Sequence, residues 1–441
     1  MPDHAATLRA ALTSRDAVIG IIGLGYVGLP LARAVHDAGF RVIGFDVDPA
    51  KIDALRAGRS YIQHLGDEVA QSFARSGRFV GTGDADRLAE ADVILLCVPT
   101  PLGVHREPDL QFVINSTRLV AEILRPGQLI VLESTTYPGT TRQEMKPLLD
   151  GRGLKCGEDY FLAYSPERED PGRTDQTTRT IPRIVGGIDP ASGALAADFY
   201  REFVDRVHEV ASAEVAEASK LLENIFRAVN IALVNELKVI LEAMGIDIWE
   251  VIAASSTKPF GFMPFYPGPG LGGHCIPIDP FYLAWRAREV GQATKFIELA
   301  GEINQRMPGY VIERLTGALN DAGKSLRGAR VLIIGISYKP NIDDIRESPA
   351  AAIIEGLERA GAAVAYHDPH MPRFPRMRKH EIELESVPLT ESAVRGCDAV
   401  IIVTDHDAVD YGLLGRAASL IVDTRNAMAA VDAPVARIVK A

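Results

Sequence analysis

Cysteine is scarce in this sequence, and its spacing excludes two common classes of small protein. The 441 residues contain four cysteines, Cys97, Cys156, Cys275 and Cys397, and none of them forms a CxxC pair. A disulfide-stabilised scaffold or a zinc finger needs closely spaced cysteines, so we expect neither, and we predict no metal site. The pattern fits a reducing cytoplasm, in which each thiol has to be judged by its own surroundings.

Long apolar runs and an excess of positive charge are also absent. Although 47% of the residues are hydrophobic, no uninterrupted run approaches the ~20 residues of a membrane-spanning helix. The N-terminus has no apolar signal core before the first predicted strand, so we expect a cytoplasmic protein. A net charge of -11 argues against broad binding to nucleic acids or acidic membranes, and a polyanionic ligand would need a locally basic pocket.

Short apolar runs alternate with helical patterns at both ends of the chain. Such an alternation predicts parallel sheets with helices on both faces. Between them, residues 214–244 contain neither Gly nor Pro and carry apolar residues at helical spacing, which predicts a helix of ~30 residues. We therefore predict an α/β fold with two doubly wound parallel-sheet domains, 1–212 and 319–441, joined by a helical domain over 213–318. The predicted strands lie in residues 17–23, 41–48, 91–99, 128–135, 160–166, 330–337, 362–369, 398–405 and 420–425.

A glycine fingerprint follows the first predicted strand. Gly23, Gly25 and Gly28 form the pattern GxGxxG, which permits a tight turn, close approach of a pyrophosphate to the backbone, and close packing of helix and strand. The helix N-terminus then directs N–H groups at the phosphates. Asp46 ends the second strand about 20 residues on, where it can bind ribose hydroxyls and repel the 2′-phosphate of NADP. The sequence thus indicates a Rossmann-like NAD site; the alternative is an ordinary glycine turn.

Residues 258–280, KPFGFMPFYPGPGLGGHCIPIDP, form a glycine-rich loop that leads into Cys275. Such a loop allows close backbone approach to a ligand, and its N–H groups can stabilise a thiolate or an oxyanion. Asp279 follows within reach of the same site, so Cys275 is a candidate nucleophile; the alternative is a small buried hydrophobe. His274 is a weaker candidate for a base because adjacent side chains usually point apart, and we interpret Cys97 as a packing residue.

The predicted long helix carries a second pair of candidates. Lys220 and Asn224 are four residues apart and therefore share one helix face. A positive charge and a neutral donor on one face could stabilise a developing alkoxide. The alternative is a solvated helix face.

These segments together resemble the nucleotide-sugar 6-dehydrogenases, the family of UDP-glucose dehydrogenase. The resemblance extends over nearly the whole chain, and its motifs occur in the family's order. The motifs are GLGYVGLP at 23–30, CVPTP at 97–101, ESTTYPGTT at 133–141, YSPER at 164–168, KLLENIFRAVNIALVNEL at 220–237, GPGLGGHCIPIDP at 268–280 and GISYKPNIDDIRESP at 335–349.

The resemblance implies an N-terminal NAD-binding domain, a central dimerisation domain carrying the cysteine loop, and a C-terminal UDP-sugar-binding domain. It also implies that NAD oxidises the C6 hydroxyl of a UDP-sugar in two steps. Cys275 captures the aldehyde as a thiohemiacetal, which is oxidised to a thioester and hydrolysed. We expect a homodimer or a higher homo-oligomer.

The resemblance also gives roles to individual residues. Lys220 and Asn224 would stabilise oxyanions, and Asp279 would orient or deprotonate water or the alcohol. Thr136 matches a threonine near the reacting carbon, and Glu167 matches an active-site glutamate. The implied cofactor contacts are Gly23, Gly25, Tyr26, Val27, Gly28, Asp46, Lys51, Pro99, Thr100 and Thr136. The implied substrate contacts are Glu167, Arg168, Lys220, Asn224, Phe265, Tyr266, Gly272, Lys339 and Arg346.

Lys339 and Arg346 lie in the stretch where the family binds UDP, and they would supply the positive charge that an acidic protein otherwise lacks. The alternative for both is a surface salt bridge. Two departures from UDP-glucose enzymes concern water activation: Pro171 stands where a second glutamate is common, and Ile278 stands where a lysine is common.

The pattern SPERxxPG, together with the cysteine loop, resembles the branch that oxidises UDP-N-acetylglucosamine, which we favour as substrate. UDP-glucose and UDP-N-acetylmannosamine are the alternatives. Two other classes of function remain open: a two-electron NAD enzyme of the hydroxyacid or 6-phosphogluconate type, which needs no cysteine nucleophile, and a non-catalytic sensor of NAD or a nucleotide sugar.

Overall fold

The computed structural model describes residues 3–62, 65–103, 107–169, 176–273, 276, 278–375, 377 and 380–441. The chain divides into two compact units, Met1–Glu223 with Phe281–Gln292, and Asn224–Pro280 with Ala293–Ala441. Helix α8 (Ala213–Ala243) and helix α10 (Asp279–Glu289) each begin in one unit and continue in the other. The three-part segmentation at 212 and 318 stays a prediction.

The first unit is built around a sheet in which eight strands of the described chain pair in the order β3-β2-β1-β4-β5-β6-β7-β8. Pairing is parallel except between β6 and β7. The helices are α1 (His4–Ser14), α2 (Gly28–Asp37), α3 (Pro49–Arg56), α4 (Glu68–Ser76), α5 (Gln111–Ile123), α6 (Lys146–Asp150) and α7 (Pro190–Arg201). The strands are β1 (Val18–Ile22), β2 (Arg41–Phe45), β3 (Phe79–Thr82), β4 (Val93–Leu96), β5 (Leu129–Leu132), β6 (Phe161–Tyr164), β7 (Arg183–Gly187) and β8 (Val207–Val210).

The central strands of this sheet are apolar because both faces are covered. Every residue of β1, β4, β5 and β6 is buried, and alternate residues enter two separate cores. Ile19 and Ile21 pack with α1, α2 and α7 on one face, and Ile22 packs with α5 and α6 on the other. Strand order reverses at β1, between β2 and β4, and ligands of such sheets bind at this switch point, beyond the carboxyl ends of the strands.

The second unit combines helices with a smaller sheet of five parallel strands in the order β10-β9-β11-β12-β13. Its helices, besides most of α8, are α9 (Ile248–Ser255), α11 (Lys295–Asp321), α12 (Pro349–Arg359), α13 (Glu391–Arg395) and α14 (Tyr411–Ala417). Its strands are β9 (Arg330–Ile334), β10 (Ala363–His367), β11 (Ala399–Ile402), β12 (Leu420–Asp423) and β13 (Arg437–Lys440).

The observed fold confirms the predicted class, two Rossmann-like doubly wound sheets with a helical region between them in the chain. The predicted long helix is present as α8. Two further helices, α10 and α11, follow in the predicted helical region. Strands β3, β7, β8 and β13 lie outside the nine predicted strand segments. Each mixes apolar with polar or glycine residues and none is buried throughout, so their sequence signal is weak.

Candidate functional site

The glycine loop after β1 is shaped by close backbone contacts. Gly23 has φ +91°, and a Cβ built on it would lie 2.4 Å from the carbonyl oxygen of Cys97 at the end of β4. A Cβ on Gly28 would lie 1.8 Å from the carbonyl oxygen of Gly23. A Cβ on Gly25, by contrast, would enter open space. The loop therefore excludes side chains where backbone packs on backbone and leaves its surface at Gly25 accessible to a pyrophosphate.

Asp46 follows β2 and is held against this loop. Its Oδ2 accepts from the Leu24 N–H at 2.8 Å and from Lys51 Nζ at 2.8 Å, and its Oδ1 accepts from the Asp48 N–H at 2.9 Å. Within the described chain, no side chain caps the N-terminus of α2, which begins at Gly28 and is preceded by Tyr26 and Val27. An open loop surface, uncapped N–H groups and a fixed carboxylate fit the pyrophosphate and ribose of NAD.

The remaining predicted cofactor contacts follow β4 and β5. Pro99 is exposed and Thr100 is buried just beyond β4. The Ser134 hydroxyl ties the two strand ends together: it accepts from the Val98 N–H at 3.0 Å and donates to the Val98 carbonyl at 2.7 Å. Cys97 is buried, as its interpretation as a packing residue requires, and burial raises the pKa of its thiol.

Thr136 lies in a loop that is anchored to α8. Its buried hydroxyl bonds that of Thr140 at 2.5 Å. The buried carboxylate of Glu217 on α8 accepts from the Gly139 N–H at 2.6 Å and from the Thr141 N–H and hydroxyl at 2.9 and 2.7 Å. Burial raises the pKa of Glu217 to about 7, while these three hydrogen bonds lower it.

Glu167 is fixed by backbone and by a buried cation. Its Oε1 accepts from the N–H groups of Arg168 and Glu169 at 2.5 and 2.6 Å, and its Oε2 lies 3.1 Å from Nη1 of Arg183. Burial acts to raise the pKa of Glu167, but Arg183 and the backbone N–H groups outweigh burial and hold this pKa below its ordinary value. Glu167 is therefore an anion at neutral pH.

Two charged side chains of α8, Lys220 and Glu223, bond the segment that contains Glu167 and Arg168. Lys220, which is buried, donates from Nζ to the Glu167 carbonyl oxygen at 2.5 Å. Arg168 donates to the Glu223 carboxylate at 2.6 Å and to the Pro182 carbonyl at 2.6 Å. The structure thus brings Glu167, Arg168 and Lys220 together in the first unit.

In the second unit, the predicted residues Asn224 and Asp279 are in direct contact. Asn224 Nδ2 donates to Asp279 Oδ2 at 2.5 Å, and both side chains are buried. Ile278, the departure noted in the sequence, is buried as well. Cys275, His274 and Pro171 lie outside the described residues, so their predicted roles stay predictions.

The glycine-rich segment before Cys275 packs closely within the second unit. Gly268 donates its N–H to Asn235 Oδ1 at 2.9 Å, and Gly273 donates its N–H to the Arg346 carbonyl at 2.8 Å. A Cβ built on Gly272 would lie 2.4 Å from the Cβ of Tyr338. Upstream, Phe265 packs edge-on against Phe226, and the exposed Tyr266 stacks on Trp249, with ring centroids 5.6 and 5.5 Å apart.

The basic stretch predicted to bind UDP follows β9. Lys339 is half-buried. Arg346 pairs with the buried Asp344 through both carboxylate oxygens, at 2.6 to 3.0 Å, which is the salt bridge weighed against nucleotide binding. The backbone of this stretch is held by the buried His406, whose Nδ1 accepts from the Asn341 N–H at 2.9 Å.

Several side chains with strong contacts lie outside the motif-derived candidates. Asn235 and Glu217 belong to α8, where ordinary helix positions hide their bonds to distant loops. Arg183 and Glu133 are charged residues at the ends of buried strands, a signal that could have indicated a buried ion pair. Arg425 lies just beyond β12, and a Cβ on Gly268 would lie 2.7 Å from its Nη1.

The described residues offer neither a metal-binding cluster nor a membrane span. No group of three or more His, Cys, Asp or Glu side chains in this part of the chain could hold a metal ion. Among the same residues, no helix is both long enough and apolar enough to span a membrane.

Comparison with known proteins gives matches along the chain. Three domain models of the UDP-glucose/GDP-mannose dehydrogenase family match it: the NAD binding domain at 17–204, the central domain at 214–306 and the UDP binding domain at 332–430.

Individual relatives extend over most of the chain. Protein CapL of Staphylococcus aureus is 39% identical over 79% of this chain and 81% of its own length. UDP-N-acetyl-D-glucosamine 6-dehydrogenase of Pseudomonas aeruginosa is 33% identical over 93% and 97%. The solved structure of UDP-D-ManNAc dehydrogenase from Pyrococcus horikoshii is 32% identical, covers 96% of this chain and 98% of its own, and superposes with a TM-score of 0.86.

Proposed function

The chain belongs to the UDP-glucose/GDP-mannose dehydrogenase family, and from that premise we propose that it oxidises the C6 hydroxyl of UDP-N-acetylglucosamine to a carboxylate in two steps. At the coarser level it is an NAD-dependent UDP-sugar dehydrogenase. The observation that carries the proposal is the buried bond between Asn224 and Asp279, at 2.5 Å. Asn224 lies on the same helix as Lys220, and Asp279 follows Cys275 by four residues in the sequence.

The cofactor's place is supported by the glycine loop. Gly23, Gly25, Gly28 and Asp46 would hold NAD, which when bound accepts a hydride in each of the two oxidations. Because the Asp46 carboxylate is held in place by the Leu24 N–H and by Lys51, it would meet the ribose hydroxyls and repel a 2′-phosphate. The cofactor contacts predicted for Pro99, Thr100 and Thr136 belong to the same proposal.

Side chains of the protein act at the C6 carbon of the sugar. Lys220 and Asn224 stabilise the negative charge that develops on the C6 oxygen, and the Cys275 thiolate adds to the aldehyde carbon to form a thiohemiacetal. Loss of a second hydride gives the thioester, and water orientated by Asp279 displaces the cysteine sulfur. The sum is one alcohol, one water and two NAD giving one carboxylate, two NADH and three protons.

The sugar's identity rests on sequence. The pattern SPERxxPG at 165–172 and the relative from Pseudomonas aeruginosa support an N-acetylglucosamine substrate. The relative from Pyrococcus horikoshii supports UDP-N-acetylmannosamine as a second candidate. Lys339 and Arg346, with Gly272, Phe265 and Tyr266, are proposed to bind the nucleotide and sugar.

We also infer that residues 1–212 bind NAD, 213–318 mediate dimerisation, and 319–441 bind UDP, in the cytoplasm. Dimerisation is supported by an exposed apolar stripe on α8 within the second unit. Leu233, Leu237 and Ile240 on α8, with Met244 one residue beyond its end, recur at three- or four-residue spacing, and their exposed fractions run from 37% to 66%. A stripe of this kind needs a partner surface.

A substrate panel tests the proposal. NADH formation is measured with UDP-GlcNAc, UDP-ManNAc, UDP-Glc and UDP-GalNAc at equal concentration, and the sugar product is identified by mass spectrometry. We expect the highest kcat/KM and a uronate product with UDP-GlcNAc. A higher kcat/KM with UDP-ManNAc would reassign the sugar. Tight binding of UDP-sugars without NADH would indicate a sensor, and full activity of Cys275→Ser would indicate a two-electron enzyme.

A further inference from the structure

The glycine-rich segment 268–273 is fastened to α8 and α11 by two buried asparagines. Asn235 Oδ1 on α8 accepts from the Gly268 N–H at 2.9 Å, and Asn235 Nδ2 donates to Asn304 Oδ1 on α11 at 2.9 Å. Asn304 Nδ2 in turn donates to the Ala228 carbonyl on α8 at 3.0 Å. We propose that Asn235 and Asn304 are positioning residues that set the place of segment 268–273, which leads into Cys275, an inference that rests on the proposed function of Cys275.

The donor and acceptor of each hydrogen bond in the series from Gly268 through Asn235 and Asn304 to Ala228 are fixed. An amide offers an acceptor at one end and donors at the other. Flipping Asn235 would turn its NH₂ toward the Gly268 N–H and its oxygen toward the oxygen of Asn304. Asn235 is 0% exposed and Asn304 is 3% exposed, so water cannot replace a lost partner, and the pair has one stable arrangement.

A second contact with α11 involves Pro308. Proline has no N–H and cannot donate to the carbonyl four residues earlier, which is that of Asn304. A Cβ built on Gly270 would lie 3.5 Å from this carbonyl oxygen and 3.5 Å from Cδ of Pro308. The loop backbone at Gly270 therefore lies against the turn of α11 in which Pro308 leaves the Asn304 carbonyl without its usual helical hydrogen bond. The position of Gly268 is thus fixed by its bond to Asn235, and that of Gly270 by its contact with α11 at Asn304 and Pro308.

A role in positioning the loop explains the buried amides of Asn235 and Asn304 better than a contribution to folding stability does. Burying two amides gives little net free energy, since an apolar pair of the same shape can be about as stable. What the amides add is a fixed distance from α8 to the loop. Cys275 is two residues beyond Gly273, whose N–H is bonded to Arg346, and two residues span at most ~7 Å. A shift of segment 268–273 would change the position at which the chain leads into Cys275, and misplacement of a reacting group by ~1 Å can lower the rate about 100-fold.

The test compares Asn235→Asp with Asn230→Asp in the full-length enzyme. The Asn235→Asp variant keeps an acceptor for the Gly268 N–H but places an oxygen against the oxygen of Asn304. Asn230 is a matched control, because among the described residues its amide bonds the Phe226 carbonyl of its own helix, at 2.7 Å, and no other group. We expect Asn235→Asp to lower kcat by about 10-fold to 100-fold, with the KM for NAD unchanged, when both variants are assayed well below their thermal midpoints. A buried carboxylate facing another oxygen costs free energy, so the thermal midpoint of Asn235→Asp is expected to lie below that of the control.

A chemical readout is independent of turnover. The rate of iodoacetamide alkylation is followed by mass spectrometry on the peptide that contains Cys275, and on those that contain the other three cysteines. We expect Asn235→Asp to change the rate at Cys275 alone. Unchanged alkylation and unchanged kcat in Asn235→Asp would overturn the proposal.

If Asn235→Asp does not fold, Asn304→Leu replaces it, since that variant removes the acceptor for Asn235 Nδ2 without burying a charge. The same two outcomes then decide. A wild-type enzyme without UDP-sugar turnover would refute the proposed function, whereas the alkylation rates would still decide the role of the asparagines.

Discussion

Glu167 lies at one end of a buried series of charged side chains that continues through Arg183 to Glu133. Arg183 contacts Glu167 through Nη1 at 3.1 Å and Glu133 through Nη2 at 3.1 Å, and Tyr200 donates to Glu133. Burial raises the pKa of Glu133 to about 7, against the lowering effect of Arg183. The single cation therefore holds two carboxylates in the first unit, one of them a proposed active-site group.

Substituting Arg183 by Gln is expected to destabilise the protein by about 3–5 kcal/mol, because it leaves both carboxylates buried without their cation. Adding Glu133→Gln removes one of these charges and should recover part of the loss. Urea unfolding of the wild type, both single variants and the double variant measures the coupling. A double variant no more stable than Arg183→Gln alone would contradict direct pairing. The exposed Arg179→Gln is the control, with an expected loss of at most about 1 kcal/mol.

Lys238 on α8 is a second buried charge, with an exposed fraction of 1%. No described residue accepts a hydrogen bond from its Nζ, which lies 5.5 Å from the ring centroid of Tyr310. Burial lowers the pKa of Lys238 from 10.5 to about 8. The folded state thus penalises the charged amine. The penalty is complete below pH 8 and disappears as the pH rises toward 10.5.

The Lys238→Met variant should therefore unfold with a free energy about 1–3 kcal/mol higher than the wild type at pH 7. It should also lose the rise in stability that the wild type shows between pH 8 and 10.5. Denaturant unfolding at several pH values checks both expectations, with the exposed Lys295→Met as control. A wild-type stability that does not rise over this interval, or a variant less stable at pH 7, would contradict the assignment.

At the scale of elements, α8 (Ala213–Ala243) provides anchors for several loops. In the first unit, Glu217 holds the loop of Thr136 and Lys220 holds the Glu167 backbone; in the second, Asn224 bonds Asp279 and Asn235 bonds Gly268. A helix is suited to this, because its rigid rise of about 1.5 Å per residue fixes the spacing of side chains along it. The loops carry the proposed chemistry, and α8 sets their places.

The protonation of Glu217 makes its hold on the Thr136 loop depend on pH. Its pKa of about 7 means that the carboxylate that accepts the Gly139 and Thr141 N–H groups forms as the pH rises through 7. We expect kcat of the wild type to rise over this interval. Glu217→Gln places an NH₂ against one of those N–H groups, and should lower kcat about 10-fold and abolish the rise. A pH–rate profile from 6 to 9 checks this, and an unchanged profile in Glu217→Gln would refute it.

Sequence patterns predict elements better than they predict the contacts between them. The long helix, the glycine turn and nine strand segments follow from local periodicity and turn residues. The antiparallel pairing of β6 with β7 does not, because strand direction depends on partners far along the chain. For the same reason, Lys220 and Asn224 are readable as one helix face, whereas the bonds of Glu217 and Asn235 to distant loops are not.

At the scale of the whole molecule, the exposed apolar stripe of α8 predicts a dimer. Sedimentation should give twice the chain mass of 47.7 kDa. Leu233→Glu introduces a charge into the stripe, where a buried unpaired carboxylate costs several kcal/mol, and should shift the protein toward monomers. The exposed Val435→Glu, outside the stripe, is the control. A wild type that sediments as a monomer at micromolar concentration would contradict the dimer.

In the proposed function, one chain carries out a four-electron oxidation through Cys275. The most direct measurement is the NADH formed when limiting UDP-GlcNAc is consumed completely in excess NAD. We expect two NADH for each sugar and a uronate product, and no uronate from Cys275→Ser. One NADH for each sugar, with an aldehyde or ketone as the product, would contradict it.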